Sequence, residues 1–425
     1  MASQRPSRDA LMTLEQQLSA QYSQWQARKL NLDMTRGKPN AQQLALSNAL
    51  DGILADNFKA ADGSDLRNYG GLEGLPEARA LFAPMLQVQP DEVLIGGNSS
   101  LTLMYTSVLF AWLHGPCGKG SAWRDEKAVS FLCPVPGYDR HFAICEDLGI
   151  HMIPVAMNAD GPDMDEVERL IKTDASIKGI WCVPRFSNPS GVVYSDAVVE
   201  RMARLGNIAA RNFRIFWDNA YSVHALNHGA PTLTSLMDAC RKQGTEDSVY
   251  IFGSTSKITF AGAGLAFMGA SKANLAVLCK HLGKTTIGPD KVNQARHVHF
   301  LNDQAGIAAH MDKHAALLSP RFDAVLSALE TELGDKTMGE WTVPQGGYFV
   351  SFDTLPGLAA DVVKLAADAG VKLTPAGATW PYGRDPQDTN IRLAPSFPSV
   401  EDIRTAMSVF TCCVKLATTR KLLSA

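Results

Sequence analysis

The chain has 425 residues, 46% hydrophobic and 20% charged, with a net charge of −3 at pH 7. That length allows two or three domains, or one large domain with an appendage, at ordinary globular composition. The charge leaves no basic field for nucleic acid or an anionic membrane, and no apolar run approaches membrane-spanning length. The eight cysteines are scattered without CxxC spacing, several in apolar runs such as VSFLC and IWCVP. Buried reduced thiols in a cytoplasmic protein are expected, not a disulfide framework or a metal site. The first residues lack the apolar core of a signal peptide.

Residues 9–30 place Leu11, Leu14, Leu18, Tyr22 and Trp25 near helical spacing. A loop follows, because Pro39 pushes Lys38 out of the helical region. In it, Thr35, Arg36, Gly37 and Lys38 offer an amide and two cations to an anion, or form a plain turn. NYGGLEGL (68–75) holds three glycines and Tyr69, and a helix starts near Pro76.

From Asp91 to about residue 270, strand-like runs alternate with helix-like runs. The strands are read at 92–96, 128–133, 151–156, 179–184, 214–218, 249–254 and 265–270. Their near-continuous apolar character fits a sheet covered by helices on both faces. In such sheets ligands sit at the carboxyl ends of the strands. Just past those ends lie Gly97-Asn98-Ser99-Ser100, Pro136-Gly137-Tyr138, Asn188 to Gly191, Asp218 to Tyr221, and Ser254 to Lys257. These groups carry most of the unusual polar chemistry of the chain.

VYIFGSTSKITFAGAG (249–264) is the densest of them. Lys257 follows a buried strand, has hydroxyls before it, and precedes Ile258, Phe260 and two glycines. An amine desolvated there would be a nucleophile able to form a Schiff base, and the hydroxyls and amides could hold a phosphate. An aldehyde and a phosphate beside one lysine point to pyridoxal 5′-phosphate. A loop lysine with its head in water also fits this stretch.

The other groups suit the same ligand. Asn98, Ser99 and Ser100 open a helix, whose free amides suit a phosphate, or form an ordinary N-cap. Tyr138 can lie on a planar ring, and Asn188 and Tyr221 can donate to a ring oxygen. Asp218 ends an apolar strand, where it would meet a pyridinium N–H or cap the next helix.

After residue 272 the pattern turns helical, with a long helix over 305–332. A shorter α+β region follows: a hairpin at 341–352, a helix at 358–370, a strand at VKLTPAG, a strand in NIRLAPSFPS, and a final helix from Val400 to Leu416. Arg392 inside a strand calls for an anion, either a ligand carboxylate or an internal partner.

The motifs NYGGLEG, GGNSS, PGYD, NPSG, DNAY, STSK, PQGGYF and NIRLAPSF occur in the order found in fold-type I pyridoxal-phosphate-dependent aminotransferases of class I, which the chain resembles. TRGKP, FSNPSGVVYS, STSKITFAGAG and GPDKVNQ resemble the subgroup Ic aspartate aminotransferases, related to the domain of MocR-type regulators. The resemblance implies a large, mostly parallel seven-stranded α/β/α domain at 46–300 and a small α+β domain at 301–425, which residues 1–45 join. It implies that Lys257 holds the cofactor and shuttles the proton, while Asp218 pairs with the ring nitrogen. Asn188 and Tyr221 would bond the ring oxygen and Tyr138 stack on the ring. Asn98, Ser99, Ser100, Ser254 and Ser256 would hold the phosphate, joined by Tyr69 from a neighbouring subunit, hence a homodimer. Arg392 would bind the substrate carboxylate, with Gly37 and Asn188 assisting.

The usual phosphate-binding arginine after the lysine is missing from Ala263-Gly264-Leu265-Ala266, and Lys291 or Arg296 are the substitutes considered. Arg36, Lys38, Arg140 and Arg185 are the candidates for a distal carboxylate. The expected reaction is ping-pong amino transfer between L-aspartate or glutamate and 2-oxoglutarate or oxaloacetate. Transamination of aromatic or 2-aminoadipate-like substrates, a β- or γ-lyase, and a non-catalytic effector module are the alternatives.

Overall fold

The computed structural model describes residues 7–335 and 337–424, so residues 1–6 of the expected N-terminal segment lie outside the described residues. The strands are β1 (Leu32–Asp33), β2 (Val93–Ile95), β3 (Ser130–Val135), β4 (His151–Asn158), β5 (Gly161–Pro162), β6 (Ile177–Cys182), β7 (Arg214–Asp218), β8 (Val249–Ser254), β9 (Ala266–Ala270), β10 (Gly339–Trp341), β11 (Val350–Thr354), β12 (Val371–Lys372) and β13 (Asn390–Leu393). The α-helices are α1 (Arg8–Ala27), α2 (Ala41–Ala45), α3 (Pro76–Leu86), α4 (Ser100–His114), α5 (Asp139–Asp147), α6 (Met164–Thr173), α7 (Asp196–Ile208), α8 (Leu236–Gln243), α9 (Lys272–Leu282), α10 (Lys291–Leu301), α11 (Gln304–Leu333), α12 (Ala359–Asp368) and α13 (Val400–Ser424).

The large sheet runs in the order β2-β9-β8-β7-β6-β3-β4-β5. Pairings from β8 through β4 are parallel, whereas β9 runs against both neighbours and β5 against β4. The seven expected strands are therefore joined by an eighth, β5. With two residues it is too short to show a period.

Alternate residues of each central strand enter opposite cores. Val249, Ile251, Ile215, Trp217 and Ile180 meet residues of α3, α6, α7 and α8. Tyr250, Phe252, Phe216 and Trp181 meet residues of α4, α5 and α9. A strand with apolar neighbours on both faces must be apolar throughout, which is why these segments read as unbroken runs.

Beyond α11, β10, β11 and β13 form an antiparallel sheet. The expected hairpin pairs Gly339–Trp341 with Val350–Thr354, and the intervening loop touches the large sheet's loops through an Ala225–Gly346 bridge. The chain's start folds onto its end: β1 pairs with β12, and Leu18 and Tyr22 of α1 share a core with Cys412 and Cys413 of α13. Helix α13 runs eight residues past the expected stop at Leu416. Thr418 and Thr419 are polar yet fully buried there, and the Arg420 guanidinium reaches Glu15 of α1 at 3.0 Å.

Candidate active site

Strands β3, β6, β7 and β8 are mutually parallel, so their carboxyl ends lie along one edge and their following loops converge. Lys257 comes three residues after β8 ends. Its Nζ lies 4.9 Å from the Tyr221 ring centroid and 5.9 Å from that of Tyr348. The residue keeps some solvent exposure, but burial of its amine pulls the pKa down, and the negative charge of Asp218 acts in the opposite sense. An amine among rings replaces the reading of a loop lysine with its head in water.

Asp218 closes β7 and is only 2% exposed. It caps no helix, since α8 begins at Leu236 behind its own Ser235 cap. Its Oδ2 meets His141 Nε2 at 3.0 Å, and its buried Oδ1 has no partner among the described residues. The His141 ring stacks on Trp181 with centroids 4.4 Å apart, and Tyr138 meets it edge-on at 5.0 Å. Sequence reasoning missed His141. The available signal was its spacing, three residues after Tyr138 at the start of α5, which puts both on one side of the first turn. Tyr221 is 2% exposed, and burial raises its phenol pKa and that of Tyr138.

The small-residue loops are stitched together. Ser256 Oγ donates to the Asn98 carbonyl at 3.4 Å, and Asn98 Nδ2 donates to the Gly262 carbonyl at 3.0 Å. Ser254 Oγ accepts from the Ser256 amide at 3.4 Å. Ser99 is the N-cap of α4 but makes no capping hydrogen bond with its side chain, which leaves the first amides, including that of Ser100, for a ligand. Of the substitutes for the missing arginine, Arg296 is committed to Leu50 O at 3.0 Å and Asp51 at 3.2 Å. Lys291 donates to the Tyr69 carbonyl at 3.2 Å. Tyr69 itself is 82% exposed, with its ring unburied by its own chain.

Arg392 lies buried in β13. Its Nη1 meets Asp139 Oδ1 at 3.1 Å and donates to Asn188 Oδ1 at 3.3 Å. That bond leaves Asn188 its Nδ2 to offer a ligand. The Arg392 Nε is buried without a partner among the described residues. The internal ion pair weighed for Arg392 therefore exists, but it occupies one nitrogen and leaves the Nε side open. The guanidinium lies 4.9 Å over the Phe349 ring. Gly37 sits against that ring so closely that a Cβ there would fall 2.2 Å from it. Asp139, like His141, was not singled out from sequence. Among the distal-carboxylate candidates, Arg36, Lys38 and Arg140 are exposed, and Lys38 stacks 4.0 Å over Phe397. Arg185 is committed to the carbonyls of Ser222 and Pro231.

A family model described as aspartate amino-transferase matches residues 6–425. This chain belongs to that family. An aspartate aminotransferase of Corynebacterium glutamicum is 43% identical, over 94% of this chain and 92% of the relative. A crystal structure of an aspartate transaminase from the same species superposes with a TM-score of 0.94 at 42% identity, covering 97% of each chain. An α-aminoadipate aminotransferase of Thermus thermophilus, solved with a phosphopyridoxyl-leucine, shares the fold at a TM-score of 0.74 and 23% identity, over 93% of this chain and 95% of that one. The protein is thus an aminotransferase with the fold-type I architecture expected of its motifs. Among the described residues, no helix is long and apolar enough to cross a membrane.

Proposed function

We propose that this aminotransferase uses pyridoxal 5′-phosphate to exchange an amino group between L-aspartate or glutamate and 2-oxoglutarate or oxaloacetate, in two alternating half-reactions. The observation that carries the cofactor assignment is the buried, unpartnered Oδ1 of Asp218. A carboxylate oxygen is costly to bury unpaired, and a pyridinium N–H is the donor that fits it. The cofactor, when bound, supplies an aldehyde for an amine and an electron-withdrawing ring that makes the substrate Cα–H acidic. Aspartate as substrate is supported by the 43% identical Corynebacterium glutamicum relative.

The chain's residues supply the rest. Lys257, with its pKa lowered by burial, is the amine that holds the cofactor and takes and returns the Cα proton. Asp218, braced by His141, keeps a proton on the ring nitrogen. Asn188 and Tyr221 serve the ring oxygen and Tyr138 the ring face. Asn98, Ser99, Ser100, Ser254, Ser256 and the open amides of α4 receive the phosphate. Arg392 takes the substrate carboxylate on its open side, with Gly37 and Asn188 beside it, and so orients the Cα–H bond for cleavage. Tyr69 reaches the phosphate of a second copy, making a homodimer with shared sites. A cytoplasmic location belongs to the same reading, supported by eight cysteines that are all free. The subgroup Ic placement rests on the four motifs that distinguish it.

The test is an absorbance titration of the cofactor-loaded protein and its Lys257→Ala variant, with aspartate and then 2-oxoglutarate. Wild type should change colour with aspartate and revert with 2-oxoglutarate, and the variant should do neither. Release of ammonia, pyruvate and acetate from O-acetylserine, an amino acid with a β-leaving group, would assign a β-lyase instead, and normal turnover by Lys257→Ala would overturn the mechanism.

A further inference from the structure

The backbone at Lys257 is held by three buried side chains, one of them backed by a fourth. The Lys257 carbonyl is approached by His224 Nε2 at 3.3 Å and accepts from Tyr348 Oη at 3.5 Å. The Ile258 carbonyl is 2.7 Å from His310 Nε2, which in turn lies 3.2 Å from His314 Nε2. Two consecutive carbonyls are thus met by three side chains, with His314 behind His310, and none of the four is more than 5% exposed.

Gln43 fixes the direction of the protons in this network. Its Oε1 accepts from the backbone and side-chain amides of Asn40, at 3.1 and 3.0 Å, so its nitrogen must donate. It donates to Tyr348 Oη at 3.0 Å and to His314 Nδ1 at 3.1 Å. Tyr348, having accepted, turns its own proton to the Lys257 carbonyl. His314, having accepted on Nδ1, carries its proton on Nε2, facing His310 Nε2 at 3.2 Å. Burial holds the rings neutral, pulling His224 down to about 3, His314 to about 4, and His310 below its ordinary value. Asn40 also donates to the Ser396 carbonyl, and the Ser396 hydroxyl donates to the Lys38 carbonyl. Gln43 therefore ties the segment bearing Gly37 and Lys38 to the residue bearing the amine.

We propose that Gln43 is a positioning residue for amino transfer, orienting Tyr348 directly and His310 through His314, so that they fix the backbone from which the Lys257 amine reaches the substrate. The proposal rests on the reading of Lys257 as the reacting amine. Proton transfer from a long, rotatable side chain depends on where its backbone is held, and a misplacement of about 1 Å can cost about a hundredfold in rate.

Gln43→Glu keeps the shape and the bonds from Asn40 but cannot donate. The Tyr348 proton should turn to the new carboxylate, and His314 should take up a proton on Nδ1. The titratable and charged groups around His314 are His310, His224, Tyr348 and position 43, with Lys257 close by and Lys313 acting on His310, so among the described residues only position 43 supplies a negative charge. In the cofactor-loaded variant, kcat with aspartate should fall about a hundredfold with KM within about threefold of wild type. The His314 C2–H resonance, flat between pH 5 and 8 in wild type, should titrate in that range. Tyr348→Phe removes only the hydroxyl and should show the same kcat loss with KM unmoved. Wild-type kcat in either variant, folded by circular dichroism, overturns the proposal. Lys257→Ala separates the two ideas: its turnover would sink the reading of Lys257, whereas an inactive Lys257→Ala beside fully active Gln43 and Tyr348 variants would sink the positioning role alone.

Discussion

At Gly37 the constraint is space. The Phe349 ring leaves no room for a Cβ, and Arg392 lies on the same ring. Gly37→Ala should push the ring and tilt the guanidinium. KM for both amino acid and oxo acid should rise roughly tenfold, with a smaller change in kcat, in steady-state assays of the complete two-substrate reaction. Asp218 shows the opposite tension, between site and stability. Its Oδ1 is buried with no partner, so Asp218→Asn should stabilise the cofactor-free protein by about 1 kcal/mol, read as a higher melting temperature, while lowering turnover by at least about a hundredfold. A variant that loses stability and keeps activity would contradict the assigned role. Asp139 is a resident carboxylate beside Arg392. It holds Nη1, while Nε stays buried with no partner among the described residues.

Among the elements, the buried histidines give the fold a predictable response to acid. His224 and His314 are neutral when folded, with pKa values pushed down to about 3 and 4 from 6.5. Above pH 6.5 neither state binds the extra proton, so the stability these rings allow is fully present. As pH falls below 6.5, the unfolded chain takes up protons that the fold refuses. Stability then drops by about 1.4 kcal/mol per pH unit for each ring, down toward pH 4 for His314 and pH 3 for His224. The urea midpoint, followed from pH 7 to pH 5, should show this slope, and His224→Asn should remove about one ring's share.

What was legible at this scale follows from burial. Strands such as VYIFGS and RIFWD face apolar helices on both sides, so nothing polar interrupts them until the site begins, and Lys257 and Asp218 stand out at their ends. His141 and Asp139 were hidden because charged residues on the first turn of α5 look like an ordinary solvated face. Gln43 was hidden because its partners lie 271 and 305 residues away in the chain. The end of α13 was misjudged because Thr418 and Thr419 are buried by tertiary contact, which polarity does not reveal. The loops at 97–100 and 254–257 were readable as a group because small residues after a strand have few other uses.

For the whole molecule, the proposed homodimer would bring the exposed Tyr69 ring to a second copy's site. Shared sites make a distinctive expectation. Lys257→Ala and Tyr69→Ala homodimers should each be nearly inactive, but subunits mixed after reversible dissociation should regain activity that neither parent has. A hybrid carries both lesions in one site and none in the other. No gain on mixing would mean each chain works alone.

The order in which the chain is joined also governs how it can be made. β2 at residues 93–95 pairs with β9 at 266–270, and β1 at residues 32–33 pairs with β12 at 371–372. A polypeptide emerging from the ribosome must therefore carry α1 without its partner helix, with Leu11, Leu18 and Tyr22 uncovered, until α13 at residues 400–424 has been translated. Such late closure slows folding and leaves a sticky nascent species. Synthesis of this enzyme should consequently lean on chaperones, and a ribosome stalled near residue 300 should display a clamped sheet beside an open, protease-sensitive amino terminus.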